Sequence, residues 1–319
     1  MHKTKLSASF AIVVLLFFAN SLFAQDTVFN DVGSSYTLTD AIVRNNFDYK
    51  EILKRIKEDI SFYKAFKTLR TIGYTSYNHI EMKNKGGAMI ASLDSKTRQN
   101  HFGNCRTMDV LEERIVGDIR KSNGDYNYLT AALYASLFFT KKNDTVCNET
   151  NIVTGKRRVV KGSGLEKNKE QLKMLFFNPG KKIAGIPFIG DKLDLYDEKA
   201  HALYDYKLDY VDYHGQLVYV FEIKPKENLG FFSKNDIVVD QMTTWFNPKT
   251  MEVLGRNYSL SYKAGVYDFN VEMEVEMTYF NGQLVPKILR YKGNWDVAFK
   301  KRERGLFTAT LTNFNTGIK

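Results

Sequence analysis

Residues 267–280 read YDFNVEMEVEMTYF, and along this stretch apolar and polar side chains alternate with a period of two. The odd positions are Tyr, Phe, Val, Met, Val, Met and Tyr, whereas the even positions up to 278 are Asp, Asn, three Glu and Thr. Because successive side chains of a strand point to opposite faces, this pattern predicts a strand with one apolar face and one face in water. Asn281-Gly282 favours a type I′ turn, so the chain should return as an antiparallel strand over Leu284–Tyr291.

The same period recurs on both sides of this hairpin, from residue 202 onward. Tight turns join consecutive strands without a helical crossover, which requires antiparallel neighbours. Strands as long as the one at 267–280 twist strongly, so they predict a large curved sheet that is open or closes into half a barrel. Further strands are predicted at residues 204–210, 217–223, 237–240, 253–262 and 306–314.

The N-terminal half shows mainly helical spacing. Asp48 and Glu51 are spaced as a capping box, and apolar residues from Ile52 to Phe66 then follow at steps of three or four. Helices are also predicted at residues 108–119, 126–139 and 165–177, and a less regular strand at residues 69–82.

Together these patterns predict an α+β fold. A mainly helical N-terminal half, residues 25–184, should pack on the large curved antiparallel sheet of residues 185–319. The apolar face of such a sheet must be covered, and the helices are the available cover. We therefore expect the two parts to fold as one cooperative unit.

Residues 1–24 have the three parts of a secretory signal peptide. A basic head with Lys3 and Lys5 precedes the apolar run Phe10–Ala19, and the small residue Ala24 stands before Gln25. The run of about ten residues is too short to span a membrane; an uncleaved anchor is the alternative. We expect a secreted chain, periplasmic or peripheral to the outer membrane, with no transmembrane segment after cleavage.

The cysteines and histidines bear on cross-links and metals. Export makes a disulfide between Cys105 and Cys147 feasible, and two free buried thiols are the alternative. The chain has no CxxC pair, and the four histidines beyond residue 24 form neither HExxH nor His-x-His. The sequence therefore predicts neither a metal nor a cofactor.

Motifs of several large enzyme classes are missing as well. The chain has no GxSxG, Walker A or GxGxxG sequence. Glu272, Glu274 and Glu276 share one strand face opposite apolar residues, which indicates a solvated surface rather than an acid site. A non-enzymatic protein is favoured, and a secreted hydrolase with a site assembled from scattered residues is the alternative.

Basic residues are concentrated between residues 151 and 182. The net charge of the chain is +10, and this stretch holds nine Lys and Arg against two Glu. Nucleic acid does not suit an exported protein, so the expected contacts are anionic lipid headgroups or an acidic envelope protein. Solubilising charge is the alternative. The predicted contact residues are Lys156, Arg157, Arg158, Lys161, Lys167 and Lys173.

Four segments of the C-terminal half carry a resemblance. They are ALYDYKLDY at 202–210, the pair His214-Gly215, YVFEIKPK at 219–226 and DIVVD at 236–240. This block resembles one found in uncharacterised exported Bacteroidota proteins, and it is similar in turn to the half-barrel sheet of periplasmic lipoprotein carriers, over residues 185–315. The resemblance implies a curved sheet with an apolar cavity facing helices, and binding rather than catalysis.

The apolar face of the sheet is the candidate ligand site. Met and aromatic side chains suit an adaptable lining for a lipid or another amphiphile; a core filled by the protein's own helices is the alternative. The sequence thus predicts an exported, non-enzymatic binding or envelope-associated protein. The predicted lining residues are Phe269, Met273, Met277, Tyr204 and Tyr210.

Overall fold

A computed structural model describes residues 27–31, 34–39, 42–43, 48–141, 144–147, 175–177, 179–183, 189–264, 267–297 and 302–317. These residues contain thirteen β-strands in one sheet and five short α-helices. The helices are α1 (Tyr49–Glu58), α2 (Ser61–Thr68), α3 (Leu129–Phe138), α4 (Glu198–Leu203) and α5 (Phe231–Lys234), and a 3-10 helix spans Leu69–Thr71. The strands are β1 (Thr27–Asp31), β2 (Ser34–Leu38), β3 (Gly73–Lys83), β4 (Met89–Phe102), β5 (Cys105–Gly117), β6 (Val146–Cys147), β7 (Tyr204–Tyr213), β8 (Gln216–Pro225), β9 (Val239–Phe246), β10 (Val253–Ala264), β11 (Tyr267–Phe280), β12 (Gln283–Val297) and β13 (Glu303–Asn315).

The strands stand in the order β1-β2-β7-β8-β9-β10-β11-β12-β13-β3-β4-β5-β6. Neighbours are antiparallel except β2 and β7, which are parallel. The C-terminal strand β13 pairs with β3, and Phe307 lies opposite Ile80. This pairing joins the two halves of the chain in one continuous sheet.

The alternation along β11 has the predicted meaning. Odd positions from 269 to 275 are at most 4% exposed, whereas the even positions 270–274 are exposed. Asn281 and Gly282 both have positive φ, 48° and 73°, as a type I′ turn requires. An irregularity in the pairing with β12 ends the alternation after residue 276, and Tyr279 is 42% exposed.

The prediction of a mainly helical N-terminal half is wrong. The helix predicted at 108–119 lies largely in β5, and β3 to β5 form an antiparallel meander. A β-bulge in the pairing of β4 with β5 explains the misleading spacing, because Leu111 is an extra residue without a partner in β4. The bulge shifts the phase of the alternation, so that Met108, Leu111 and Ile115 fall at helical steps. The sheet spans both halves of the chain, and the helices only cover it.

Two predicted helices are present with shifted bounds. Asp48 caps α1, since its carboxylate accepts a hydrogen bond from the Glu51 amide at 3.1 Å. The predicted apolar stripe is interrupted at Ile60, which is 70% exposed between α1 and α2. The helix predicted at 126–139 is α3, whereas that at 165–177 lies outside the described residues apart from 175–177. In the described part of the chain, no helix is long and apolar enough to cross a bilayer.

Cys105 and Cys147 form a disulfide with their sulfurs 2.03 Å apart. The bond ties β6 to the first residue of β5, where the two strands pair. Two free thiols, the alternative, would react with an alkylating agent, whereas the sulfurs of a disulfide would not, because only a thiolate reacts readily with such agents.

We therefore expect the denatured protein to take up no iodoacetamide before reduction and one equivalent on each of its two cysteines afterwards. Intact-mass spectrometry counts the adducts. Two adducts on protein that has never met a reductant would show that the thiols are free.

Candidate functional site

One face of the sheet carries a row of apolar and tyrosine side chains that crosses eleven strands in register. Ten of its eleven residues are at most 4% exposed, because helices lie over this face; the exception is Ile115 in β5. We call it the covered face. From β2 to β5 the row consists of Tyr36, Tyr206, Ile223, Met242, Tyr258, Met273, Tyr291, Phe307, Ile80, Leu93 and Ile115.

Helix α3 covers the middle of this row. Its sequence, LTAALYASLF, has no charged residue. The Tyr134 ring stacks on Phe307 with centroids 4.5 Å apart and meets Tyr291 edge-on at 4.8 Å. The gap left between α3, Phe176 and Tyr291 is about 10 Å³, room for one water molecule. A helix that is apolar all round belongs in a core, and α3 fills the one above this row.

Two glycines make room for this packing. Gly293 and Gly305 lie opposite each other in β12 and β13. A Cβ on Gly293 would overlap the Tyr291 hydroxyl, and one on Gly305 would lie 3.1 Å from Thr130 Cγ2. The Tyr291 ring and the first turn of α3 can therefore approach the sheet backbone closely.

Glu303 holds the start of α3 against β13. Its carboxylate accepts hydrogen bonds from the Leu129 amide, the Thr130 amide and the Thr130 hydroxyl, each at 2.7 Å. First-turn amides have no partner within their own helix, and a carboxylate suits the positive end of the helix dipole. Sequence reasoning missed this role, because Glu303 stands among basic residues and Thr130 is 173 positions away.

Phe269 and Met273, predicted to line a ligand site, are each 2% exposed and contact the protein's own groups. Met273 Sδ lies 2.9 Å from the Tyr258 hydroxyl, which is also 2.9 Å from the Phe176 carbonyl oxygen. Phe269 packs on Trp295 with ring centroids 5.0 Å apart. At these residues the covered face is a filled core.

The other predicted lining residues lie on β7 and β11, which three strands separate. Tyr204 is buried, and its hydroxyl accepts a hydrogen bond from the Val239 amide at 3.3 Å; burial raises its pKa above the ordinary tyrosine value. Tyr210 is half-buried with its ring 5.2 Å from Tyr219, and Met277 is half-buried too. The structure spreads the five residues over two separated strands rather than gathering them around one point.

The six predicted anionic-surface contacts lie outside the described residues; they are Lys156, Arg157, Arg158, Lys161, Lys167 and Lys173. Two further lysines of the basic stretch are described. Lys182 pairs with Asp191 at 2.7 Å. Lys181 donates a hydrogen bond to the Lys57 carbonyl, and burial followed by the nearby Arg256 lowers its pKa.

A buried ion pair joins the end of α1 to β10. Arg256 Nη2 is 3.6 Å from Asp59 Oδ2, and their side chains are only 8% and 5% exposed. Arg256 Nε donates to Thr244 Oγ1 at 3.0 Å, and the guanidinium lies 4.5 Å from the centre of the Phe62 ring. A charge removed from water depends strongly on its partner, so this pair fixes the helices to the sheet.

The opposite face of the sheet carries paired charges. Lys292 is 3.0 Å from Glu272, and Arg290 is 3.3 Å from Glu274 and 3.1 Å from Glu276. The three glutamates thus belong to a solvated ladder of ion pairs rather than to an acid site.

A cluster around His79 on this opposite face bears on the alternative that the protein is a hydrolase. Its Nδ1 is 2.6 Å from Asp94 and its Nε2 is 3.3 Å from Glu81. The cluster borders an open groove of about 600 Å³, with Lys96 and Glu112 in its wall. Both ring nitrogens face carboxylates, so neither is placed to take a proton from a hydroxyl or water. In the described part of the chain, no three His, Cys, Asp or Glu side chains are grouped to hold a metal.

Fold and site together define a sheet protein whose covered face is an apolar packing surface. No family model matches the chain, and no curated protein matches it. A DUF1329 family protein from Desulfovibrio piger is a structural neighbour at 16% identity and a TM-score of 0.25, covering 80% of this chain and 90% of its own. An outer membrane lipoprotein-sorting protein domain from Vibrio parahaemolyticus is another, at 9% identity and a TM-score of 0.25, covering 82% and 94%. The second neighbour is of the class that the sequence resembles, and likenesses this weak carry no argument about the function or the ligand of this chain.

Proposed function

We propose that the protein is an exported, non-enzymatic binding protein of the cell envelope that holds the apolar chain of an amphiphile between the covered face and α3. The main support is the pairing of two apolar surfaces, a helix without charged residues and a row that crosses eleven strands. Hydrogen bonds hold α3 at its two ends: the Thr130 amide donates to the Glu303 carboxylate, and Arg70 donates to the Leu137 carbonyl. In the proposed ligand-bound form these contacts break and α3 moves away from the row.

An acyl chain can take the place of the α3 side chains on the row. The α3 side chains and an acyl chain both present hydrocarbon to the row. Each Å² of apolar area that the ligand covers therefore contributes about 25 cal/mol to the free energy of binding. Met242 and Met273 stand in the row beside tyrosines, and thioether side chains adapt their shape at low cost. The filled core is thus the ligand-free form of the proposed site.

Export is part of the same proposal. Residues 1–24 would be removed as a signal peptide, and the basic residues between 151 and 182 would face anionic lipid headgroups or an acidic envelope protein. The disulfide between Cys105 and Cys147 supports an oxidising compartment, where such bonds persist.

A disulfide between α3 and β13 should weaken binding of the apolar ligand. In Thr130→Cys/Gly305→Cys the new side chains are within bonding reach, since a Cβ on Gly305 lies 3.1 Å from Thr130 Cγ2. With the cross-link closed, we expect a fluorescent fatty acid to bind at least about tenfold more weakly, a loss of about 1.4 kcal/mol. Reduction should restore binding, as measured by fluorescence titration.

Two controls separate the effect of the cross-link from the effects of the substitutions and of the reductant. The single variant Thr130→Cys loses the hydroxyl bond to Glu303 without closing a cross-link. The unaltered protein, titrated with and without reductant, shows what opening the Cys105–Cys147 bond does by itself. Equal affinity in the locked and unlocked states, or no binding by the unaltered protein, would contradict the proposal.

A further inference from the structure

Three rings meet on the covered face near the β1 edge of the sheet. Tyr36 of β2, His201 of α4 and Tyr206 of β7 have ring centroids 5.0 to 6.0 Å apart. Tyr36 is completely buried and His201 is 9% exposed. Tyr36 is also the first residue of the row that continues through Tyr206 towards Met273.

Two polar atoms of this group are left without a hydrogen bond. Among the residues that the structure describes, neither the Tyr36 hydroxyl nor His201 Nδ1 has a hydrogen-bond partner, although both atoms are buried. The Tyr206 hydroxyl, by contrast, donates to the Leu195 carbonyl at 2.8 Å. Buried polar groups are nearly always paired, so two orphans in one cluster point to a group that pairs with them.

The surroundings favour an anion as that group. Lys57 Nζ lies 5.1 Å from the centre of the Tyr36 ring, and Lys226 Nζ donates to the His201 carbonyl at 2.9 Å. The Asp197 carboxylate, which begins α4, accepts a hydrogen bond from the Ala200 amide at 2.7 Å. Burial, and after it Lys57, lowers the pKa of His201, which leaves a neutral ring with one N–H to donate.

We propose that Tyr36, His201 and Lys57 bind one anionic oxygen group, a carboxylate or a phosphate. The Tyr36 hydroxyl, His201 in its Nδ1–H tautomer and the Lys57 ammonium match the charge and the acceptor oxygens of such a group. The inference rests on the proposed function in one respect, that the group is the head of the amphiphile. A chain attached to it would follow the row from β2 to β11, five strand spacings or about 24 Å.

Tyr36→Phe tests the site with two readouts that should move in opposite directions. Removing an unpaired buried hydroxyl should raise the thermal midpoint of the ligand-free protein by a few degrees. The same change should weaken the binding of a saturated fatty acid about tenfold and leave the binding of the fatty alcohol of equal chain length unchanged. Tyr206→Phe is the matched control, because it removes a paired hydroxyl from the same cluster; it should lower the midpoint and leave the acid-to-alcohol preference as it was.

Inorganic phosphate distinguishes a headgroup from a free anion. We expect phosphate to raise the midpoint of the unaltered protein and not that of Tyr36→Phe or Lys57→Gln. If phosphate acts through Tyr36 while neither acid nor alcohol binds, the site holds a free anion and the proposed function fails. If acid and alcohol bind equally well to both the unaltered protein and Tyr36→Phe, and phosphate has no effect, the anion site is wrong and the proposed function stands.

Discussion

Met273→Asp is expected to destabilise the protein by about 4 kcal/mol or more, as measured by the free energy of unfolding in guanidinium chloride. Met273 is 2% exposed and lies in register between Tyr258 and Tyr291 in the middle of the row. Shortening the side chain opens a cavity, which alone costs about 2–5 kcal/mol. The new carboxylate would also be buried, and the Tyr258 hydroxyl, 2.9 Å from Met273 Sδ, is one neutral donor that does not offset the burial of a charge, which adds to the loss.

Glu274→Gln is the matched control in the next residue of the same strand. The Glu274 side chain is 52% exposed and pairs with Arg290 at 3.3 Å on the opposite face. An exposed pair contributes about 0–1 kcal/mol, so the unfolding free energy should change by no more than that. Similar losses for the two variants would mean that the faces of β11 have been assigned incorrectly.

Arg256→Met is expected to destabilise the protein by about 3–5 kcal/mol, because it leaves the Asp59 carboxylate buried without its partner. Asp59 retains one hydrogen bond, from the Ser61 amide at 2.8 Å. The Thr244 hydroxyl loses its donor as well. Unfolding in denaturant gives the free energy, and the change should appear in the midpoint rather than in the slope.

The double variant Arg256→Met/Asp59→Asn tests the cause of that loss. Removing the second charge should return most of the stability, because replacing both members of a buried pair is often close to neutral. Asp59→Asn by itself leaves Arg256 unpaired and should be as harmful as Arg256→Met. Additive losses in the double variant would show that the two charges do not interact.

The C-terminal sheet could be predicted from the sequence because its signals are local. Alternation along residues 267–280 and the Asn281-Gly282 turn depend only on residues close in the chain, and both hold in the structure. The same holds for α1, whose start is encoded by Asp48 and Glu51. Phe269 and Met273 were accordingly placed on the correct face.

The N-terminal strands could not be predicted in this way. β3 joins the sheet through β13, from the other end of the chain, and β5 carries a bulge that disguises its period. The spacing of apolar residues near Met108 therefore resembles a helix, although the pairing with β4 makes the segment a strand. A local pattern cannot report which distant strand will supply hydrogen bonds.

Alternation along residues 267–280 is enough to identify the apolar, inward-facing side chains of β11, whereas what packs against them depends on how the whole chain folds. Helix α3 and Phe176 fill the space that the sequence left open for a ligand. Glu303 reaches α3, and Tyr36 meets His201, across large separations in the chain. The physical reason is that alternation is a property of consecutive residues, whereas occupancy of an apolar face and pairing of a buried polar group depend on which remote segments pack there.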